Sequence, residues 1–375
     1  MTMKHVNSLS DLRTARRLVI KVGSALLVED GAARSAWLAT LAAEIAELRK
    51  ATEIIVVSSG AIALGAARLG LPKGGRGSLA DAQAAASVGQ VALARLWSEV
   101  LDIHGLTAAQ MLVTLGDLED RRRYLNASAT LGRLLEADAV PVVNENDSVA
   151  TEEIRFGDND RLAARVAQAA GADGVLLLSD VDGLYDRDPR EDGATLVERI
   201  EGVTPEIMAM ASGSSSSGLG SGGMAAKLQA ARIAERAGIA LAIVNGTHPS
   251  PLSRALDSGT GTLFVPQADA SARKAWLGGR LAPSGVVTVD EGCMAALENG
   301  ASVLAAGVTG VEGAFSRGDL VAIHGPRGER LGQGLVEYTS AECSAILGLR
   351  EDQQSAQLGY APRAAVIHRD HMVHA

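Results

Sequence analysis

The sequence predicts an α/β fold: a mainly parallel sheet sandwiched by helices, followed by a second, small β-rich domain. Three observations predict it. Short apolar, β-branched runs alternate with helical repeats through the first two thirds of the chain. Each of these runs ends in small or polar residues. Near residue 280 the pattern gives way to short strand-like runs divided by Gly-rich turns. Strands alternating with helices imply right-handed crossovers and a parallel sheet covered on both faces.

Residues 18–22 form the first strand pattern, closed by Gly23-Ser24. Trp37, Leu38, Leu41, Ile45 and Leu48 then fall at helical spacing, predicting an amphipathic helix to about Lys50. Residues 54–57 are continuous and β-branched, as a strand buried on both faces requires, and they end in Ser58-Ser59-Gly60. An Ala-rich helix is expected over 82–104, a strand over 108–113 and a polar helix through Arg121-Arg122-Arg123 to Leu135. Residues 140–143 form the next strong strand and feed a long polar loop from Asn144 to Asp160, Asn-Glu-Asn-Asp at its start and Asp-Asn-Asp at its close. A helix over 162–170 and a strand over 175–178 follow, the latter stopping at Ser179-Asp180. A Ser- and Gly-rich run over 212–223, a helix over 224–237 and a strand over 241–244 ending at Asn245-Gly246 complete the pattern. The domain boundaries are expected at 1–270 for the α/β part, 271–282 for a linker and 283–375 for the tail, where strands are expected at 286–289, 320–323, 334–338 and 364–367.

Composition limits the function classes. A length of 375 residues suits two domains, and 47% hydrophobic residues supply an ample core. The net charge of -9 disfavours nonspecific attraction to nucleic acid or anionic membrane. No apolar run reaches the length of a membrane span, and the N-terminus lacks a secretory apolar region. Arg16-Arg17 resembles a twin-arginine signal, but Lys21 interrupts the apolar run behind it. Cys293 and Cys343 have no metal-ligand spacing and suit a reducing cytoplasm.

In open α/β sheets ligands bind beyond the carboxyl ends of the strands, where the polar strand ends of this chain converge. Lys21-Val22-Gly23-Ser24 offers a glycine that admits a phosphate to the backbone and a lysine to neutralise it. Taken alone it is equally a strand-end lysine reaching solvent. Gly218, Gly220 and Gly223 satisfy GxGxxG, yet a serine-rich segment precedes them and Ile243 stands at the expected acid position, so the dinucleotide fingerprint fails. What remains is either a flexible linker or a glycine lid leading into a helix that carries Lys227. Asp158, Asn159 and Asp160 precede a helix, and one of them is expected to cap it. A carboxylate between two lysines would hold both where they would otherwise repel.

Two lysines, phosphate-binding glycines and no paired nucleophile and base point to phosphoryl transfer, which is mostly positioning and charge stabilisation. A carboxylate acceptor, with a reference pKa of about 4.3, needs no general base. His104, His248 and His324 are isolated, and His368, His371 and His374 lack the acids or cysteines that would complete a metal site.

Together these residues resemble the amino-acid kinase family, and among its members those that phosphorylate glutamate. The resemblance is carried by IKVGSALL, VVSSGAIALG, ASVGQ, PVVNENDSVAT, FGDNDRLAA, LLSDVDGLYDRDP, GLGSGGMAAKLQAA and FVPQ. In the tail VVTVDEGCMAAL and GAFSRGDLVAI look like a PUA domain. The resemblance implies ATP with Mg2+ as phosphoryl donor and the side-chain carboxylate of L-glutamate as acceptor. It implies that Lys21 and Lys227 stabilise the transferring group and that Asp160 holds both. Ser59, Gly60, Asp147, Asp158 and Asn159 match glutamate-contact positions, with Asp147 suited to the ammonium. Lys21, Gly23, Ser24, Ser179 and Asp180 match ATP-binding positions, as do Ser221, Gly222, Gly223, Met224, Ala225, Ala226 and Lys227. Ser24 and Ser221 stand where threonine is frequent, and either hydroxyl makes the same hydrogen bond.

The resemblance further implies inhibition by L-proline, a homo-oligomer (tetramer or dimer) and a cytoplasmic location. Acetylglutamate or aspartate kinase activity on the same fold is the alternative within the family. RNA binding through the PUA-like tail is the alternative of another class. From 283 to 375 the chain has six arginines, no lysine and eleven Asp and Glu, a net of -5, which makes the tail a poor partner for phosphates.

Overall fold

The computed structural model describes residues 6–149, 158–211, 223–266 and 283–374. The chain divides into two compact units. The first is Met1–Glu119 with Ala127–Ala268, and the second is Asp120–Asn126 with Asp269–Ala375. The linker expected at 271–282 lies outside the described residues.

In the first unit β1 (Arg17–Val22) leads through a short turn of helix, α1 (Ser24–Leu27), into a hairpin of two-residue strands, β2 (Val28–Glu29) and β3 (Ala32–Ala33). Then come α2 (Ser35–Arg49), β4 (Glu53–Ser58), α3 (Ala61–Leu69), α4 (Leu79–Asp102), β5 (Ala108–Val113), α5 (Leu115–Glu119), α6 (Arg121–Glu136), whose residues 121–126 count with the second unit, and β6 (Val140–Glu145). The remaining elements are α7 (Asp158–Ala170), β7 (Gly174–Ser179), β8 (Arg199–Glu201), α8 (Pro205–Met210), α9 (Gly223–Arg236), β9 (Ala240–Asn245), α10 (Pro251–Ser258) and β10 (Thr262–Val265).

The sheet order is β5-β6-β4-β1-β7-β9-β10-β8. From β5 to β9 every pairing is parallel, as the alternating pattern predicts. β10 runs antiparallel to β9 and carries β8 parallel to itself, a reversal the sequence reading did not anticipate. β1 is the seam of this sheet. The chain builds β4, β5 and β6 on one side of it and then crosses to build β7, β9, β10 and β8 on the other. All six residues of β7 are buried, as in a strand covered on both faces.

Period-two alternation divides β1 between two layers. Leu18, Ile20 and Val22 enter the main core with Trp37, Leu41 and Ile45 of α2 and Leu93 and Trp97 of α4. Val19 and Lys21 point to the other face, where α7 and α9 pack on each other and α7 packs on β1. The α3–α4 crossing brings backbone against backbone. A Cβ on Gly89 would stand 1.7 Å from Ala61 O, and one on Gly65 would stand 1.8 Å from Ala85 O.

The second unit holds a five-stranded sheet, ordered β12-β11-β13-β14-β15: β11 (Gly285–Val289), β12 (Val308–Gly313), β13 (Leu320–His324), β14 (Arg330–Val336) and β15 (Ile367–His374). The β11–β13 pairing is parallel and the others are antiparallel. The strand expected at 364–367 starts at its end and runs to His374, and β12 was not expected. Arg317 meets Glu337 at 2.9 Å, both largely buried. Burial pushes the Glu337 carboxyl up, but His371 and Arg317 outweigh it and hold it below its usual range. Cys293 and Cys343 are free and buried, and burial pushes the Cys343 thiol up to about 12.

Candidate active site

The register of the parallel strands aligns their carboxyl ends. Lys21 stands beside Val57 and Leu177, Val22 beside Ser58 and Leu178, and Ser179 beside Asn245. The segments leaving those ends enclose one cavity of about 540 Å³ in the first unit.

At its centre is Asp160, 1% exposed, whose Oδ1 lies 2.5 Å from Lys21 Nζ and whose Oδ2 lies 3.0 Å from Lys227 Nζ. Each of the three comes from a different element: β1, the first turn of α7 and the second turn of α9. The sequence reading set the Asp158-Asn159-Asp160 triplet before a helix, with one residue capping it. Instead α7 begins at Asp158, so Asn159 and Asp160 sit within its first turn. An acid there also favours the helix electrostatically.

The cluster combines two amines with one carboxylate. Burial pushes Lys21 down, helped by Lys227, and Asp160 only partly offsets this. Burial pushes the Asp160 carboxyl up, but the two lysines outweigh it and leave it below its ordinary value, hence ionised. One anion between two cations leaves positive charge facing the cavity, where an anionic group can bind.

On the β4–β6 side of β1, Asn159 Nδ2 donates to Ser59 Oγ at 2.9 Å. The Ser58-Ser59-Gly60 turn is fixed from beneath. Trp97 Nε1 donates to Ser58 Oγ at 2.8 Å inside the core, and Ser59 N donates to Val22 O at 3.1 Å. Gly60 caps the start of α3 with φ of 108°, which L side chains rarely adopt. Asn144 Nδ2 donates to Gln90 Oε1 at 2.7 Å, tying the end of β6 to α4. Asp147 is buried on the cavity wall, and Arg76 lines the same cavity.

On the β7–β9 side the wall is built from Gly23, Ser24, Ser179, Asp180, Gly223 and Met224. Gly23 presents its bare Cα toward the lysine: a Cβ there would stand 3.7 Å from Lys21 Nζ. The segment after β7 adds Tyr185, Arg187, Asp188 and Arg190. Asp182 anchors it by accepting from Asn245 Nδ2 at 3.0 Å.

Thirteen of the residues singled out from the sequence therefore border one cavity, split between the two sides and the central cluster. Ala225 and Ala226 do not border it; Ala226 is buried in α9. Asp158 opens α7, and Ser221 and Gly222 lie outside the described residues. The reading missed Arg76, Gln90, Tyr185, Arg187, Asp188 and Arg190. The last four follow a strand end in the charged run Tyr-Asp-Arg-Asp-Pro-Arg, a signal that was open to reading; Arg76 gave none.

Among the described residues no group of three or more His, Cys, Asp or Glu could hold a metal ion. No described helix is long and apolar enough to cross a membrane.

A mainly parallel sheet with a lysine–carboxylate–lysine cluster at the end of β1 is an arrangement suited to a phosphotransferase, and the sequence places the chain in a family of them. Residues 16–245 match the model of the amino acid kinase family and residues 285–354 that of the PUA domain; the chain belongs to the amino acid kinase family. It is 64% identical over 375 residues to glutamate 5-kinase of Novosphingobium aromaticivorans, covering 100% of both chains. It is 62% identical to glutamate 5-kinase of Sphingopyxis alaskensis, over 95% of this chain and 97% of that one. The enzyme of the same name from Zymomonas mobilis is 56% identical, over 95% and 91%.

Proposed function

We propose that this protein transfers the γ-phosphoryl group of ATP to the side-chain carboxylate of L-glutamate, giving γ-glutamyl phosphate and ADP, the first step of proline biosynthesis. The observation that carries the chemistry is the buried Lys21–Asp160–Lys227 cluster. The acceptor is assigned from the full-length likeness to glutamate 5-kinases.

A carboxylate oxygen of the acceptor forms the new P–O bond while the bond to the β–γ bridging oxygen breaks and ADP departs. The acceptor is already ionised at neutral pH, so no side chain need take a proton. Lys21 and Lys227 neutralise charge spreading over the transferred group, and Asp160 fixes both ammonium groups so that little reorganisation is needed. Ser59, Gly60, Asp158 and Asn159 position the acceptor, and Asp147 takes its ammonium. Lys21, Gly23, Ser24, Ser179, Asp180 and the 221–227 segment receive the nucleotide. Mg2+ arriving with the nucleotide would supply further charge neutralisation.

The test is glutamate-dependent ADP release with hydroxylamine trapping of the acyl phosphate. Turnover with acetylglutamate or aspartate but not glutamate would refute the acceptor. We further infer competitive inhibition by L-proline at the glutamate site, which unchanged activity with millimolar proline at low glutamate would rule out. A cytoplasmic homo-oligomer is expected, and light scattering giving a monomer mass would rule out the assembly. The boundaries proposed are 1–270 for the catalytic domain and 283–375 for the PUA domain, whose acidity favours a regulatory or structural role; tight RNA binding at low salt would overturn that role.

A further inference from the structure

An amino-acid acceptor brings two charges besides the carboxylate that reacts: an ammonium and an α-carboxylate. Asp147 answers the first. Of the cations bordering the cavity, Lys21 and Lys227 hold Asp160, Arg187 pairs with Asp186 at 3.2 Å, and Arg190 pairs with Asp188 at 2.6 Å. Both of those arginines stand on the β7 side of the seam. Among the described residues, Arg76 is the cavity cation that lies on the β4–β6 side with Asp147.

The backbone that carries Arg76 is set by packing, and its exposed side chain borders the cavity. It follows the turn Pro72–Gly75, and Gly75, at φ of 75°, is buried against both α3 and α4. A Cβ on Gly75 would stand 2.8 Å from Ala66 Cβ and 3.1 Å from Ala85 Cβ, so the turn lies flush on the two helices only because that residue is glycine. Ile62 of α3 borders the cavity as well, so the turn and the pocket wall are one packed unit. Arg76 is exposed as a whole, but partial desolvation of its guanidinium pushes it down and Asp147 opposes this, which makes the two electrostatic neighbours on one cavity wall.

An Asp–Arg pair is the charge complement of a zwitterion. When the ammonium binds Asp147, the attraction between Asp147 and Arg76 is exchanged for two ligand contacts with no net change in charge. The planar guanidinium also matches a carboxylate with two parallel N–H donors. We propose that Arg76 binds the α-carboxylate of the acceptor amino acid beside Asp147 and so selects free α-amino acids. This rests on the reading of L-glutamate as acceptor.

The test compares L-glutamate with L-isoglutamine, which keeps the ammonium and the reacting carboxylate but carries an amide in place of the α-carboxylate. Steady-state constants are measured for the full-length wild type, Arg76→Gln and Arg76→Lys. In the wild type kcat/KM should favour glutamate by about ten- to a hundredfold, the worth of a charge-assisted hydrogen bond. Arg76→Gln should raise KM for glutamate by a similar factor, leave KM for ATP unchanged and nearly erase the preference, while Arg76→Lys restores part of it. A wild type that uses both compounds equally would overturn the proposal without reference to any variant. So would an Arg76→Gln enzyme that keeps the full preference. Absence of any glutamate-dependent turnover in the wild type would instead refute the acceptor reading, and the proposal with it.

Discussion

Asp160→Asn removes one charge and almost no volume from the centre of the site. Asp160 is 1% exposed, and the lysine side chains at 2.5 and 3.0 Å are 8% and 11% exposed. Deleting one partner of a buried ion pair costs about 3–5 kcal/mol, because the charge left behind has neither water nor counterion. At about 2–4 °C per kcal/mol for a unit of roughly 150–250 residues, the first unit's melting midpoint should fall by about 6–20 °C. Turnover should fall about a hundredfold, the scale of losing a fixed geometry at the reacting group. The pH profile carries a signature. The Asp160 pKa lies below its ordinary 3.8, so its stabilisation is fully present above about pH 4 and is lost as pH falls through the lowered value. Lys21 is shifted below 10.5, so stability rises with pH between its folded value and 10.5, where only the unfolded chain keeps the proton. In Asp160→Asn the acid loss should disappear and the alkaline gain should begin at lower pH. Adding Lys227→Met should recover stability, since it removes one of the stranded ammonium groups. Urea midpoints across pH and steady-state kinetics provide the measurements. A stability change within about 0.5 kcal/mol, the range of an ordinary surface substitution, together with unchanged turnover would refute the claim that this carboxylate holds the lysines.

Gly89→Ala forces α3 and α4 apart, because the new Cβ would stand 1.7 Å from Ala61 O and 2.7 Å from Gly65 N. It should cost about 1–3 kcal/mol in denaturant unfolding, and KM for the acceptor should rise because Gln90, the next residue, holds Asn144. Glu44→Gln should cost about 1–3 kcal/mol by the same measurement, because the buried Glu44 carboxylate accepts from Ser253 N at 2.7 Å and Leu252 N at 3.2 Å at the start of α10. Arg317→Met strips the buried Glu337 of its arginine and should destabilise the second unit by about 3–5 kcal/mol, read by calorimetry. Melting unchanged by Arg317→Met would show that this pair contributes nothing to the second unit.

The central strand positions were legible because a strand buried on both faces is continuously apolar; residues 54–57 are all β-branched, and residues 175–178 are an apolar run of strand length stopped by Ser179-Asp180. β8 and β10 were not expected as strands, and the direction of β10 could not be read either, because Thr-Leu-Phe-Val reads the same whichever way it pairs. β12 escaped because Thr309, Gly310, Glu312 and Gly313 interrupt its apolar alternation. In the site, Lys21 stood out as charge at the end of a buried strand, and the Asp-Asn-Asp triplet as a polar cluster closing a long loop ahead of a helix. Arg76 did not, since it lies in Lys-Gly-Gly-Arg-Gly, a run without periodicity that reaches the cavity only through the packing of Gly75 on two helices. Sequence patterns report what a residue does within its own element, and Arg76 acts through a contact that only the tertiary fold creates.

The seam at β1 has a consequence for how specificity is inherited. On the proposed roles, the acceptor is held largely by residues encoded from β4 to the start of α7, and the nucleotide largely by residues encoded from β7 to α9. Each recognition surface is thus an almost uninterrupted stretch of chain, and the two meet only through Lys21 and the cluster around Asp160. A lineage can exchange or remodel the earlier stretch, and so change what is phosphorylated, while the apparatus that delivers the phosphate passes on intact.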